Sequence, residues 1–183
     1  MRANLKNGDE VIIRLVQEDD APYLLAYLQA FSEENRSRFA PHPFDEETVC
    51  LICKDGYSDT RYYVAEHGKT HDIIAYALLK LGVLKKDAER FLASNVQLDE
   101  ALTCTYAPSV AETFQNLGLG SLLFEHILLD VYFLGKKYIV LWGGVQATNE
   151  RARHYYCKKG FEPVGAFQRD LIESYDMIYR FTT

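Results

Sequence analysis

Gln115-Asn-Leu-Gly118-Leu-Gly120 stands between a β-rich run ending at Val110 and an apolar helical run starting at Leu119, and its reading decides the fold. Glycines at alternate positions let the chain turn so that successive N–H groups point into one concavity. The helix behind adds its unbonded first-turn amides and the positive end of its dipole. A turn of this kind suits a diphosphate. The spacing is not the dinucleotide fingerprint, because Leu123 occupies the third glycine position, and Gly135-Lys-Lys137 lacks the earlier glycine and following hydroxyl of a P-loop. Glycine also serves strand-to-helix turns for conformational reasons alone, so both readings stay open at this point.

Upstream of the turn, residues 102–110 read as a strand, and Pro108 within it implies a bulge, an edge or the strand's end. Downstream, a helix runs from Leu119 through Leu134 with Ser121, Glu125, His126 and Asp130 as its few polar residues, so it must be covered on more than one side. Residues 138–145 read as a buried strand. The next segment is Asn149-Glu-Arg-Ala152-Arg-His-Tyr155-Tyr156-Cys-Lys-Lys-Gly160-Phe161. A capping asparagine and a C′ glycine fix it as a helix of about three turns. At about 3.6 residues per turn, Asn149, Ala152 and Tyr156 share one face. Residues 163–167 and 175–181 read as a closing pair of strands.

Towards the N-terminus, residues 11–16 read as a first strand, and Asp19 and Asp20 offer cap chemistry for a helix through Tyr23, Leu24, Tyr27, Leu28 and Phe31. Residues 32–43 read as an extended loop ending in Pro41-His42-Pro43, after which Asp45 caps a second helix through Val49 and Ile52. Residues 61–66 and 73–79 read as an antiparallel hairpin around His67-Gly68-Lys69, with His67 and His71 as exposed turn histidines. Residues 84–99 are charged, with Ala88, Phe91 and Leu92 on a short helix.

A length of 183 residues with 48% hydrophobic and 25% charged residues predicts one globular domain spanning 1–183. The net charge of −6 disfavours nucleic acid and anionic lipid as partners and is compatible with a cationic small molecule. No apolar run is long enough to span a membrane and residues 1–10 lack a signal-peptide layout, which predicts a cytoplasmic protein. The 4 cysteines suit reduced thiols, and Cys50-Leu-Ile-Cys53 reads as an apolar helix face rather than a metal or redox site. No repeat, low-complexity segment or linker is present.

The run from Gln115 to Gly120 (Q-x-x-G-x-G) and the run from Asn149 to Phe161 (N-x-x-A, then Y-x-x-x-G-F) together resemble the GCN5-related N-acetyltransferase (GNAT) superfamily. The likeness covers most of the chain in element order. It implies an α/β acyl-CoA N-acyltransferase fold, in which a mixed, mostly antiparallel sheet is splayed in the middle and flanked by helices on both faces. It also implies acetyl-CoA as cosubstrate, no metal, and a small-molecule or peptide amine as acceptor; a homodimer stays open. By the same resemblance Gln115, Asn116, Leu117, Gly118, Leu119, Gly120 and Ser121 hold the coenzyme A pyrophosphate. An amide near Val110 pairs with the pantetheine arm, Asn149 contacts the coenzyme, and Tyr156 protonates the departing thiolate.

Elementary chemistry asks for the same residue types. Direct acyl transfer needs amine and thioester held together, a donor for the carbonyl oxygen as it becomes an anion, and a proton for the thiolate. A phenol with a pKa of about 10 can deliver that proton at neutral pH. An alkyl amine of pKa about 10.4 must first lose a proton, at a cost of about 4.6 kcal/mol at pH 7. No Asp or Glu lies between Glu100 and Glu112 to accept it, which leaves a water chain, Glu66 or His42. That gap also supports a second reading, a non-catalytic acyl-CoA-binding or sensing domain on the same fold. An unrelated nucleotide-binding module is the third.

Overall fold

The computed structural model describes residues 1–169 and 171–181. Its strands are β1 (Arg2–Asn4), β2 (Glu10–Leu15), β3 (Thr60–His67), β4 (Ile73–Leu81), β5 (Thr103–Val110), β6 (Tyr138–Leu141), β7 (Val145–Gln146), β8 (Glu162–Arg169) and β9 (Ile172–Arg180). Its α-helices are α1 (Ala21–Gln29), α2 (Glu33–Arg38), α3 (Glu46–Lys54), α4 (Lys85–Ala93), α5 (Leu119–Phe133) and α6 (Glu150–Lys158). Among the described residues the sheet has 9 strands in the order β1-β2-β3-β4-β5-β6-β9-β7, with β8 paired to β9. The fold is therefore mixed α/β with a mostly antiparallel sheet, as the sequence predicts. The elements fall into two compact units, Met1–Leu79 with Ala107–Leu129 and Lys80–Tyr106 with Asp130–Thr183.

In the first unit, β2 pairs antiparallel with β1 and β3, and its inward positions Val11 and Ile13 are fully buried. Helix α1 lays Leu24, Tyr27 and Leu28 into the core, and α3 buries Val49, Ile52 and Cys53. Asp45 caps α3 by accepting from the Thr48 amide at 2.8 Å, as its sequence position predicts. Arg14 of β2 reaches Asp20 at 2.6 Å and Glu66 of β3 at 2.8 Å, fixing the start of α1 against the sheet. Three features differ from expectation. Residues 32–43 contain α2, because Ser32 accepts from the Asn35 amide while Glu33 and Glu34 occupy the first turn and Arg36 and Arg38 the last. The polar strand β1 exists because β2 offers it a ladder, which no local pattern encodes. His67 is 12% exposed rather than solvated, and its Nδ1 accepts from the Thr70 amide at 3.2 Å, closing the β3–β4 turn.

In the second unit, β5 and β6 run parallel from Thr103↔Tyr138 to Tyr106↔Leu141, and β9 pairs antiparallel with β6, β7 and β8. Phe91 of α4 packs on Val140 and Ile178, whereas Leu92 points outward at 62% exposure. The expected strand over 138–145 is interrupted after Leu141. Asp87 of α4 accepts from the Gly143 amide at 3.1 Å, and Gly143 and Gly144 turn the chain with φ of +63° and +72° before β7 begins. Side-chain pattern alone could not reveal this break, because its cause sits on another element.

Candidate functional site

Strand β5 supplies the first part of the site. The Gly82 amide donates to Thr103 O and the Ala111 amide to Ile74 O, so odd positions of β5 face β4. The Trp142 amide donates to Tyr106 O, so even positions face the opposite edge. The ladder with β6 ends at Tyr106, and β5 continues to Val110. Pro108 thus lies on an edge, where a residue without an N–H is tolerated. The next amide on that edge belongs to Val110. Its carbonyl accepts from Gln115 Nε2 at 3.2 Å, tying the strand to the glycine turn.

After a 3₁₀ turn over Glu112–Phe114, the chain is extended at Gln115 and then takes positive φ at alternate positions, +63° at Asn116 and +92° at Gly118. Asparagine tolerates the first position and glycine suits the second. The amides of Asn116, Leu117, Gly118 and Leu119 have no acceptor among the described residues. The carbonyls turn away from them: Leu117 O accepts from the Lys6 amide at 3.1 Å, and Gly118 O from the amides of Ser121 and Leu122 at 3.0 and 3.1 Å. Ser121 therefore has only its hydroxyl to offer a ligand. Leu119 is 1% exposed and anchors the start of α5. Consecutive open amides in alternating conformation, backed by a helix N-terminus, form an anion-binding concavity. Val110, Gln115 and residues 116–121 are brought together within the first unit.

Helix α6 carries the second part. Asn149 accepts from the Ala152 amide at 3.2 Å, which commits Oδ1 to the cap; Nδ2 has no partner among the described residues. At the other end the Gly160 amide donates to Cys157 O at 3.0 Å and the Phe161 amide to Tyr156 O at 2.9 Å. These are the two bonds of a Schellman cap, and the Tyr156 and Phe161 rings complete it at 5.3 Å. Tyr156 is 9% exposed, and burial pushes its phenol well above the ordinary range. Burial also raises Tyr106, with the neighbouring Tyr155 and Tyr156 phenols adding to it. Tyr156 is neutral at pH 7, as a phenol of ordinary pKa also is, so it holds a proton to donate, while burial makes it a weaker acid.

Two sequence candidates for proton acceptance have different surroundings. Glu66 accepts from Arg14 at 2.8 Å and pairs with His71 Nδ1 at 2.6 Å. Burial works to raise its carboxyl, but the His71 and Arg14 bonds outweigh burial and hold it below the usual carboxylate range. His42 Nδ1 bonds Pro43 O at 2.7 Å, so that nitrogen carries the proton, and Nε2 accepts from the Tyr76 hydroxyl at 3.0 Å. Burial lowers this imidazole, leaving it neutral. The sequence did not announce the chain in which Tyr27 OH donates to Ser109 Oγ at 3.0 Å and Ser109 Oγ donates to Tyr76 O at 3.0 Å. It fixes Ser109 beside Val110.

A family model described as the acetyltransferase (GNAT) family matches residues 24–161. No curated protein matches the chain by sequence. Among solved structures, the GNAT domain of S. lividans PAT aligns with TM-score 0.76 and 18% identity over 99% of this chain and 96% of that one. An acetyltransferase of the GNAT family from Streptococcus pneumoniae aligns with TM-score 0.66 and 21% identity over 93% and 99%. The aminoglycoside acetyltransferase AAC(6')-Ib, in complex with ribostamycin and coenzyme A, aligns with TM-score 0.67 and 18% identity over 93% of each chain.

Proposed function

The chain belongs to the acetyltransferase (GNAT) family, and from that premise we propose that it transfers the acetyl group of acetyl-CoA to a primary amine by direct attack in a ternary complex. The observation that carries this reading is the run of open amides at Asn116, Leu117, Gly118 and Leu119 ahead of α5. In the proposal, these amides, with Gln115, Gly120 and the Ser121 hydroxyl, hold the pyrophosphate. Val110 N–H faces the thioester carbonyl or the pantetheine amide, and it carries that duty alone because Pro108 has no N–H to share it. Asn149 Nδ2 contacts the coenzyme. When the amine attacks, the N–C bond forms, the S–C bond breaks, the thiolate takes the Tyr156 proton, and the proton shed by the acylated nitrogen restores the phenol through solvent.

The amine must arrive deprotonated. Glu66 is committed to Arg14 and His71, which leaves a water chain, or His42 Nε2 once the Tyr76 hydroxyl turns away from it, as proton acceptor. The whole chain, 1–183, acts as one acetyltransferase domain under this reading. Its reduced thiols Cys50, Cys53, Cys104 and Cys157 fit the cytoplasm. The AAC(6')-Ib complex with ribostamycin supports a small-molecule amine as acceptor class, and a peptide amine is the alternative.

The competing reading, an acyl-CoA-binding domain without turnover, draws on β5 having no carboxylate in Thr-Cys-Thr-Tyr-Ala-Pro-Ser-Val. Free-thiol release from acetyl-CoA across a panel of primary amines separates the two, with coenzyme A binding measured on the same protein. Release with at least one amine supports the enzyme. Binding with silence across the panel supports the second reading.

A further inference from the structure

The open amides at residues 116–119 are neutral dipoles, and the segment from Glu112 to Ser121 contains no Lys, Arg or His. A diphosphate held there would have no cation from its own loop, on a protein whose net charge is −6. The missing charge comes from the other end of the sequence. Between β1 and β2 the chain turns tightly, with the Leu5 amide donating to Asp9 O at 2.8 Å and the Gly8 amide to Leu5 O at 3.0 Å. Leu5 is 4% exposed and pins the turn to the core. The Lys6 amide then donates to Leu117 O at 3.1 Å, docking this turn against the back of the glycine loop.

From that anchor the Lys6 side chain runs along the bare backbone of Gly118. A Cβ on Gly118 would meet only Lys6, with Cε at 3.9 Å and Cγ at 4.0 Å. These are ordinary van der Waals distances, so the lysine stem lies close along the glycine turn. Nζ lies one bond beyond Cε and has no partner among the described residues. The nearest carboxylate in sequence, Asp9, accepts from Asn7 Nδ2 at 2.7 Å and lies 3.7 Å from His67 Nε2. An ammonium whose backbone is pinned behind the loop, whose stem passes Gly118 and which has no partner among the described residues, is placed to meet a ligand's charge at the loop's rim.

We propose that Lys6 is a phosphate-binding residue of the coenzyme site, its ammonium meeting the coenzyme A diphosphate at the rim of the Gly118 turn. This rests on reading the glycine loop as the pyrophosphate site. Lysine suits the role because a mobile point charge can satisfy a diphosphate whose orientation the amides already set.

Calorimetric binding of coenzyme A and of 3′-dephospho-coenzyme A to the wild type, Lys6→Met and Lys6→Arg tests it. Methionine keeps most of the stem and removes the charge. The expected result is about tenfold weaker binding of both ligands by Lys6→Met, the size suited to one exposed charge against a dianion. Lys6→Arg should stay within about twofold, and the Met penalty should shrink in about 1 M salt as screening sets in. An unchanged thermal midpoint for Lys6→Met shows that the fold is intact. Wild-type affinity in Lys6→Met overturns the proposal and leaves the site reading standing. A penalty seen only with coenzyme A moves Lys6 to the 3′-phosphate and overturns the diphosphate assignment. Failure of the wild type to bind either ligand overturns the site reading itself.

Discussion

Tyr156 has two duties on one side chain, since its ring closes the Schellman cap on Phe161 while its phenol is the proposed acid. Tyr156→Phe separates them, because phenylalanine keeps the ring. Thiol release should fall by about 10²–10⁴-fold, the usual worth of a general acid, with coenzyme A affinity and thermal midpoint retained; undiminished release would remove the acid role. Tyr156→Ala should additionally lose about 3–5 kcal/mol of stability. Glycine positions separate in the same way. An alanine at Gly118 meets nothing closer than 3.9 Å, so its cost is the positive φ alone, about 1–2 kcal/mol. At Gly144 a Cβ would stand 2.7 Å from Tyr175 O and 2.8 Å from the Phe167 ring, so Gly144→Ala should give the larger drop in urea midpoint. The loop and the helix face carrying Tyr156 were legible because their chemistry is local, written in spacing and caps. Lys6 was not, because nothing near it in sequence shows that its hairpin will dock on Leu117.

Helix α4 shows why element boundaries were less legible than motifs. Its residues read as a charged, loosely amphipathic run, and only the fold reveals Asp87, 2% exposed, reaching the Gly143 amide and ending β6. Asp87 and Asp176, also 2% exposed, share one cation, Arg90, at 2.7 and 2.8 Å, and its guanidinium lies 3.9 Å over the Phe167 ring. Both carboxylates thus lean on Arg90, and removing different members has different consequences. Asp87→Ala leaves a neutral Arg90–Asp176 pair and should cost about 1–2 kcal/mol, mainly the lost bond to Gly143. Arg90→Met leaves two buried carboxylates without a cation and should cost about 3–5 kcal/mol at pH 7. Burial already holds the Asp176 carboxyl above its ordinary range, with Arg90 pulling it down. Without Arg90 it rises further, so above pH ~4 the folded variant keeps protons that the unfolded chain releases, and stability falls as pH climbs towards 7. The gap between wild type and Arg90→Met in urea unfolding should therefore be narrower at pH ~5 than at pH ~7. A gap independent of pH would mean that the carboxylates are solvated once Arg90 is gone.

Across the molecule, the abundance of tyrosine, 13 in 183 residues, sets a limit on alkaline stability. Tyr27, Tyr76, Tyr106 and Tyr156 are 7, 0, 1 and 9% exposed, and burial raises every one of these phenols. Burial also pushes Tyr62 up to about 12. In the unfolded chain all of them ionise near pH ~10. Above that pH the unfolded state has lost protons that the folded state retains, so stability declines as pH rises through the interval up to each raised value. Each phenol contributes about 1.4 kcal/mol per pH unit, so Tyr27, Tyr76, Tyr106 and Tyr156 together remove about 5 kcal/mol per unit. Against a typical reserve of about 5–15 kcal/mol, the fold should give way within about one to three pH units above 10. A spectrophotometric titration should then show an early gradual rise in tyrosinate followed by a cooperative step that coincides with loss of far-ultraviolet circular dichroism. Tyr156→Phe should reduce the steepness of that step by about 1.4 kcal/mol per pH unit in denaturant-derived stability. Smooth ionisation of every tyrosine with the dichroism intact would show that the buried phenols reach solvent in the folded state.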